Sequence, residues 1–435
     1  MGLSDIYPDN SYIDQEGVLN IGGCNLIDLI KQFHTPLYVY DELTIRNKAK
    51  EFRNAFTKSF TNVEICYASK AFSNKYLLQL IKEEKLGLDV VSGGEIAVAK
   101  SVDFPMDKVF FHGNNKTRTE LEFALKHNVG TYVLDNFLEI DLLSELARKD
   151  NVQPRVMLRV APGVDPHTHV YTTTGILDTK FGFSIQTGDA ELAIKKTLNK
   201  GNLNLTGLHC HLGSPIFETE PYIVAIGVVF AFAKKMEKYG FVFNDFSPGG
   251  GFGVKYTSSQ SVLPISEYSN LIMAEIEKKS IEYKFKLNNV IVEPGRAIVA
   301  NAGVALYTVG ALKIIPEIRK YVSIDGGMGD NIRPALYQSE YEAIVVNKAN
   351  SKNQEIVTIT GKYCESGDIL VRDVKLPIIE TGDFIGIPVS GAYNLAMSSH
   401  YNMNPKPLVL CLKKGNPKII RRREEYSDLL MFDEV

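Results

Sequence analysis

The chain has 435 residues, too many for one small domain, so we expect two domains around a large core. Hydrophobic residues make up 45% and charged residues 23%, as in ordinary globular proteins, which excludes a disordered chain. The formal net charge of -3 leaves no basic excess and argues against a nucleic-acid partner.

Membrane and disulfide-rich classes are also disfavoured. The sequence has no run of about 18 apolar residues and no basic start followed by an apolar stretch, so we expect a cytoplasmic protein without a membrane partner. The five cysteines form no CxxC pair and are odd in number. We therefore expect reduced thiols rather than disulfides or a zinc knuckle.

From residue 36 to residue 295, short apolar runs alternate with longer helical patterns, which predicts βα units and a parallel sheet. About eight strands can be counted, the number found in a TIM (β/α)8 barrel. An open doubly wound sheet is less favoured, because no GxGxxG motif follows the first strand. The predicted strands are a run that ends at residues 66–67, then residues 87–92, 109–112, 132–135, 156–160, 205–211, 246–250 and 290–293.

Beyond Arg296 the pattern changes to strand-like segments with few long helical patterns, which predicts a mostly β domain. These segments are residues 297–309, 321–325, 355–360 and 384–388. We therefore predict an N-terminal segment (1–35) that packs on the β domain, a TIM barrel (36–296) and a C-terminal β domain (297–435).

Unusual polar side chains follow the predicted barrel strands, at the end where TIM-barrel active sites lie. A lysine that ends an apolar strand is a candidate for Schiff-base chemistry, because desolvation favours the neutral, nucleophilic amine. The strand-end residues are Lys70, Asp89, Ser92, His112, Asn114, Arg159, His209, His211, Glu293 and Arg296.

The run SPGGGFG (247–253) follows the seventh strand and offers closely spaced backbone N–H groups that can bind a phosphate. A lysine, a phosphate loop and a barrel together indicate pyridoxal phosphate. Glu293 is placed to favour a protonated pyridine nitrogen, which makes the cofactor ring a stronger electron acceptor. A purely structural turn and an ordinary strand-end ion pair stay open as alternatives.

Histidine pairs suggest a competing metal site. An HxH pair on a strand points both rings to one face, and His209 with His211, together with His167 and His169, could in principle hold zinc. We expect no metal, because no HExxH motif is present and a histidine ring can equally stack on a cofactor.

These pieces, taken in order over nearly the whole chain, resemble the fold-type III pyridoxal-phosphate decarboxylases, and within them the diaminopimelate decarboxylases. The resemblance implies an alanine racemase-like barrel and decarboxylation of meso-2,6-diaminopimelate to L-lysine and carbon dioxide, the last step of lysine biosynthesis. The motifs are YASKA (67–71), HCHLGS (209–214), GGGFG (249–253), EPGR (293–296), CESGD (364–368) and GAY (391–393). PGVDPHTHVYTTTG (162–175) followed by KFGF (180–183) looks like the diaminopimelate branch and is not typical of the eukaryotic ornithine branch.

The resemblance also implies residue roles. Lys70 forms the aldimine with the cofactor, His211 stacks on its ring, and Cys364 reprotonates the carbanion across the interface of an obligate homodimer with shared active sites. The implied cofactor-binding residues are Lys70, Asp89, His211, Ser214, Gly249, Gly250, Gly251, Glu293, Gly295, Arg296 and Tyr393. The implied substrate-binding residues are Arg296, Arg333, Tyr337, Glu365 and Tyr393. Whether Arg296 serves the phosphate or the substrate is left open by the sequence.

Several rival functions share parts of this pattern. Ornithine, arginine and carboxynorspermidine decarboxylases use the same cofactor set. A racemase of the same general fold would benefit from a weaker electron acceptor than Glu293 provides, and a regulatory relative would be expected to lose Lys70 or Cys364. A single-domain cofactor carrier is disfavoured by the large β region that contains CESGD.

Overall fold

The structure, a computed structural model, describes residues 3–58, 62–165, 174–175 and 178–435. The chain forms two compact units. The barrel unit comprises Ala49–Gly253 and Val262–Gly295, and the sheet unit comprises Met1–Lys48, Val254–Ser261 and Arg296–Val435. The sequence-based domain boundaries at residues 35 and 296 stay a prediction.

The barrel unit contains eight parallel strands that close on themselves within the described part of the chain. Each strand pairs with the next one along the chain, and the last pairs with the first through Val292 and Ile65. The predicted barrel is therefore confirmed. Its strands are Val63–Ala68, Gly87–Val90, Val109–Phe111, Thr131–Leu134, Arg155–Ala161, Asn204–His209, Asp245–Gly249 and Asn289–Val292. A short strand, Phe183–Ser184, adds to Arg155–Ala161.

Inward-pointing side chains fill the barrel. A buried cluster is formed by residues of five strands, Cys66, Phe110, Val133, Met157 and Ile291. Since side chains alternate along a strand, the inward-pointing set can pack into layers, so the barrel is a core and not a channel.

Helices follow the barrel strands and begin at polar caps. The side chains of Asn74, Ser92, Thr117 and Asn136 each accept a hydrogen bond from a backbone N–H in the first turn of the helix that follows. Such caps stabilise short strand-to-helix turns and keep the strand ends in place. The helices are Lys75–Glu83, Gly93–Lys100, Arg118–Lys126, Phe137–Lys149, Asp189–Lys200, Glu220–Met236 and Ile265–Tyr283, and the helix Glu42–Phe56 spans the boundary between the units.

The sheet unit is mostly β, as predicted. One mixed sheet has the strand order Ile369–Pro377, Gln354–Thr360, Arg319–Ile324, Gly303–Ile315, Leu37–Asp41, Leu408–Lys413 and Asn416–Arg421. Phe384–Ile387 also pairs with Gly303–Ile315, and Ile344–Val345 pairs with Phe384–Ile387. A small sheet contains Tyr12–Ile13, Leu19–Ile21 and Cys24–Asn25. Short helices are Leu26–Phe33, Arg296–Val299, Arg333–Tyr337 and Tyr426–Leu429.

Two details of the sheet unit differ from, or add to, the sequence analysis. The segment predicted as a strand from residue 297 begins as the helix Arg296–Val299, and the strand starts only at Gly303. The N-terminal segment joins this unit through backbone hydrogen bonds, such as Leu19 N–H to the Val346 carbonyl oxygen at 3.1 Å.

Among the described residues, no helix is long and apolar enough to cross a membrane.

Candidate active site

A cavity of about 380 Å³ opens where the barrel strands end. Most of the predicted strand-end residues meet there, because parallel strands deliver their C-terminal residues to the same face. The lining residues are Lys70, Asp89, Val91, His112, Gly113, Asn114, Asn115, Arg159, Thr174, Phe181, His209, His211 and Glu293. Ser92 is used differently, since its side chain caps a helix by accepting from Glu95 N at 3.2 Å.

Lys70 lies in a one-turn helix, Ser69–Ala71, directly after the first barrel strand. This turn packs closely against the segment around Gly295. The Ala68 N–H donates to the Pro294 carbonyl at 3.0 Å, and a Cβ atom at Gly295 would lie 2.9 Å from the Cβ of Ala68. Gly295 therefore allows the close approach that fixes the lysine turn.

Glu293 is a buried carboxylate with hydrogen-bond partners on both oxygens. Ser247 Oγ donates to Oε1 at 2.8 Å, and His209 Nε2 lies 3.0 Å from Oε2. Burial alone would raise the pKa of Glu293, but the adjacent His209 and these hydrogen bonds hold it well below its usual value. Glu293 is therefore a stable negative charge at the cavity wall.

His112 and Asp89 extend this charged wall. His112 Nε2 lies 3.6 Å from Glu293 and 3.8 Å from Asp89 Oδ1. Burial raises the pKa of Asp89 to about 7, although the Lys70 ammonium opposes the shift. Burial also drives the pKa of His112 well below its usual value, so its imidazole is neutral at pH 7.

His211 has a defined hydrogen bond to the glycine loop. Its Nδ1 accepts from the Gly250 N–H at 3.3 Å, which assigns the ring proton of the neutral form to Nε2. Burial, with the Lys70 charge, drives the pKa of His211 well below its usual value. The ring is therefore neutral.

The glycine loop uses backbone conformations and spaces that side chains would disturb. Gly249 and Gly251 have φ angles of +80° and +104°. A Cβ atom at Gly249 would lie 2.6 Å from the Cys210 carbonyl oxygen, and one at Gly253 would lie 2.8 Å from Phe217. Tyr222 anchors the loop by donating to the Gly250 carbonyl at 2.8 Å.

The residues of the cavity fit pyridoxal phosphate. Buried polar atoms with no hydrogen-bond partner in the described part of the chain lie in or beside it: Ser69 Oγ, Asp89 Oδ1, His112 Nε2 and His209 Nδ1. Such atoms are destabilising unless a bound group or water satisfies them. A lysine, an ionised carboxylate and a side-chain-free loop are the groups that an aldehyde, a pyridinium and a phosphate require.

Three residues of the same cavity wall are close enough together to bind a metal ion. Ligand atoms of His112, His209 and Glu293 lie within 4.8 Å of one another and could hold a cation. His167 and His169, half of the zinc set weighed in the sequence analysis, lie outside the described residues. The expectation of no metal stays a prediction.

Arg159 enters the cavity from the fifth strand and is held by the KFGF segment. Its guanidinium carbon lies 4.3 Å from the centre of the Phe181 ring, and its Nε lies 3.8 Å from Asp135 Oδ1. Gly182 donates its N–H to Asp135 Oδ2 at 3.0 Å, and a Cβ atom there would lie 2.9 Å from the Arg159 carbonyl oxygen. The segment therefore needs glycine at 182.

A second group of residues meets in the sheet unit, and we call it the arginine cluster. It contains the predicted residues Arg296, Arg333, Tyr337 and Tyr393, together with Tyr256 and Tyr341. Arg333 donates from Nε to Tyr341 Oη at 2.9 Å and from Nη2 to Ser339 Oγ at 3.1 Å. The Tyr393 ring centre lies 4.6 Å from the guanidinium carbon of Arg296. Tyr337 lies on the same short helix as Arg333, with its ring centre 5.7 Å from the guanidinium carbon.

The CESGD segment forms a braced loop in the sheet unit. The Asp368 carboxylate accepts from Tyr363 N at 2.9 Å and from Met328 N at 2.7 Å, while Asn402 Oδ1 accepts from Cys364 N at 2.9 Å. Cys364 and Glu365 are exposed. The loop therefore presents a thiol and a carboxylate outward on a fixed backbone.

Sequence reasoning missed two parts of this arrangement. Tyr256 and Tyr341 belong to the arginine cluster, and their only sequence signal is that they lie close to GGGFG (249–253) and to the segment RPALY (333–337). Lys116 and Glu139 form a buried ion pair at 2.9 Å behind the cavity wall. Both residues follow predicted strands, but periodicity cannot show that they meet.

Comparisons with known proteins give these sites a context. The family described as "Pyridoxal-dependent decarboxylase, pyridoxal binding domain" matches residues 43–300. Diaminopimelate decarboxylase of Bacillus subtilis is 43% identical over 97% of this chain and 96% of its own length. The enzyme of that name from Staphylococcus aureus is 43% identical over 97% of this chain and 98% of its own. The crystal structure of M. jannaschii diaminopimelate decarboxylase with L-lysine has a TM-score of 0.92 at 33% identity, covering 98% of both chains.

Proposed function

The chain belongs to the pyridoxal-dependent decarboxylases and, among them, to the diaminopimelate decarboxylases, and from this premise we propose the roles of its residues. Its cofactor is pyridoxal phosphate and its reaction is the decarboxylation of diaminopimelate. The finer proposal is that the meso isomer is converted to L-lysine, as the last step of lysine biosynthesis in the cytoplasm. The observation that carries the proposed decarboxylation is the ionised Glu293 in the wall of the cavity that Lys70 also lines.

Pyridoxal phosphate supplies a ring that accepts electrons while carbon dioxide leaves the α-carbon. Lys70 provides the amine that holds the cofactor covalently. Glu293 keeps a proton on the pyridine nitrogen, because its charge is stabilised by Ser247 and His209. This arrangement favours decarboxylation over racemisation, which requires a weaker electron acceptor.

The remaining cofactor contacts follow from the loop geometry. The N–H groups of Gly249, Gly250 and Gly251 bind phosphate together with Ser214 and Tyr393. His211 offers a neutral ring for stacking on the cofactor, since its Nδ1 is already bonded to Gly250. Asp89 lines the same cavity, and Gly295, which also positions the lysine turn, is kept as a cofactor-binding residue.

The arginine cluster supports recognition of the distal carboxylate of the substrate. Arg333 is buried, and its hydrogen bonds go to neutral hydroxyl groups, so its charge is available for an anion. Arg296 donates a hydrogen bond to Tyr256 of the same cluster, which favours a substrate role over a phosphate role for Arg296. Glu365 provides the counter-charge for the distal ammonium group.

Cys364 provides the proton that replaces the lost carboxylate, from the neighbouring subunit of a homodimer. Its exposure on a braced loop supports this role, because a partner subunit can reach only an exposed thiol. Mixing Lys70→Ala and Cys364→Ala homodimers under exchange conditions should restore about a quarter of wild-type activity, the statistical share of intact sites. No recovery after verified exchange would exclude shared sites.

The direct test of function is carbon dioxide release by the purified protein with pyridoxal phosphate. We expect strong preference for meso-diaminopimelate over ornithine, lysine and arginine, with L-lysine as product. Absorbance of the bound cofactor is recorded in parallel. If the protein binds the cofactor but releases no carbon dioxide from diaminopimelate, the cofactor assignment stands. The substrate-binding roles of Arg333, Tyr337 and Glu365 would then be rejected.

A further inference from the structure

Tyr256 lies at the centre of the arginine cluster, although no sequence motif points to it. Its phenol oxygen accepts a hydrogen bond from Arg296 Nη1 at 2.5 Å. Its ring centre lies 5.0 Å from the guanidinium carbon of Arg333, and the edge of the Tyr341 ring meets it at a centroid distance of 5.1 Å. Both arginines and Tyr256 itself are buried. One side chain therefore contacts both cations of the cluster.

Two buried guanidinium groups repel each other and need partners that hold them in place. A carboxylate partner would neutralise them and close the site to an anion, whereas a phenol can bind one through its oxygen and the other through its π face without cancelling either charge. The Tyr256 pKa reflects this contact. Burial would raise it, but the two arginines lower it overall, so the phenol oxygen is a strong acceptor.

We propose that Tyr256 is a positioning residue that sets substrate specificity, because it holds Arg296 and Arg333 at the spacing that receives the distal carboxylate. This inference rests on the proposed role of the two arginines as carboxylate receptors. It goes further by assigning their geometry to a residue outside the family motifs quoted above.

Tyr341 holds Arg333, the second arginine of the cluster, in place. Its hydroxyl accepts from Arg333 Nε at 2.9 Å and donates to Asn394 Oδ1 at 3.3 Å. These two hydrogen bonds together hold the Tyr341 hydroxyl in its position next to Arg333. Tyr256 and Tyr341 thus fix the two guanidinium planes by different atoms, which allows each contribution to be removed separately.

The test compares two ligands that differ by one carboxylate. Binding of L-lysine and of pentane-1,5-diamine to the holoenzyme is measured by calorimetry, and the ratio of their dissociation constants reports recognition of the carboxylate. Tyr256→Phe keeps the ring and removes the oxygen, so we expect the preference for L-lysine to fall about tenfold, as for loss of one hydrogen bond to a charged group. Tyr341→Phe should lower it as well.

Tyr268→Phe is the matched control. Tyr268 is a buried tyrosine of the barrel unit, and its hydroxyl donates to the Ile216 carbonyl at 2.8 Å. This control should keep the wild-type preference even if its melting temperature falls. An equal loss in the control would overturn the inference, since the effect would then be general packing.

The outcomes separate the two levels of the proposal. A wild-type holoenzyme that binds both ligands equally would reject the arginines as carboxylate receptors, and with them the proposed substrate recognition. A wild-type preference that survives Tyr256→Phe would retain the receptor and overturn the role of Tyr256, whatever the effect of Tyr341→Phe.

Discussion

The Nε2 atom of His209 lies 3.0 Å from Oε2 of Glu293, and both side chains are buried. This contact, with Ser247 on the other oxygen, keeps Glu293 ionised in a place where burial alone would favour protonation. An ionised carboxylate here fits the role proposed above, in which Glu293 would keep the pyridine nitrogen of the bound cofactor protonated.

Glu293→Gln should lower kcat by about 100-fold, since a neutral amide cannot stabilise the protonated ring nitrogen in a water-poor site. The cofactor should still bind, because Lys70 and the glycine loop are unchanged. Steady-state kinetics and cofactor absorbance check both points. A variant with near-normal kcat would assign the control of the ring nitrogen to another residue.

Two lysines near the cavity should differ in their reactivity as nucleophiles. Lys70 lines the cavity, whereas Lys116 Nζ is bonded to Gly113 O, Val133 O and Glu139 Oε2, at 2.8, 2.6 and 2.9 Å. An ammonium with three such bonds is not available as a nucleophile. Borohydride treatment of the holoenzyme should therefore label Lys70 alone, as read by peptide mass spectrometry, and Lys70→Ala should abolish the labelling. Label on Lys116 would refute the assignment.

The Lys116–Glu139 pair predicts a large effect on stability. Both side chains are about 1% exposed, and Glu139 also accepts from the backbone N–H groups of Lys116 and Asp135. Removing one partner leaves a buried uncompensated charge, so Lys116→Met should lower the free energy of unfolding by about 3–5 kcal/mol. The double variant Lys116→Met with Glu139→Leu should lose less of the free energy of unfolding than Lys116→Met alone. Denaturant unfolding measures this free energy for both variants, and a larger loss in the double variant would contradict the prediction.

Asp89 predicts a pH dependence of stability. Burial raises its pKa in the folded protein to about 7, above the unfolded value near 3.8. A raised pKa contributes stability that is complete below the unfolded pKa and is lost as the pH rises through about 7. Asp89→Asn in the apoprotein should therefore melt higher than the wild type at pH 8, with a smaller or reversed difference at pH 5. A difference in melting temperature that is the same at both pH values would contradict this.

The barrel and the cavity residues were predictable, while the second layer of the site was not. Strand periodicity placed Lys70, His209 and Glu293 at strand ends, and the closed barrel brings them to one cavity. Tyr256 and Lys116 could not be predicted, because each acts through a partner that is distant in the sequence, Arg296 and Glu139 respectively. A strand was also predicted to begin at residue 297, where the apolar run instead forms the buried helix Arg296–Val299.

The contact between Arg159 and Phe181 predicts a function for the KFGF segment. Phe181→Leu removes the ring beneath the guanidinium, and Asp135→Asn removes its nearest counter-charge. Burial and nearby positive charges, Arg159 among them, lower the pKa of His211. The same charge should lower the pKa of a protonated group on the bound cofactor, so a displaced guanidinium should raise the pH midpoint of the cofactor absorbance. Both variants should show this shift, together with a kcat about tenfold lower, because a misplaced group in an active site slows the reaction.

Phe183→Leu provides the control for that prediction. Phe183 is buried in the same segment and packs edge-on against Phe137 at a centroid distance of 5.0 Å, and it is not among the cavity-lining residues. Its loss should lower the melting temperature and leave the pH midpoint in place. If all three variants shift the midpoint equally, KFGF acts only by stabilising the fold, and Arg159 needs no support from Phe181. If only Phe181→Leu and Asp135→Asn shift it, the segment positions a cation next to the cofactor.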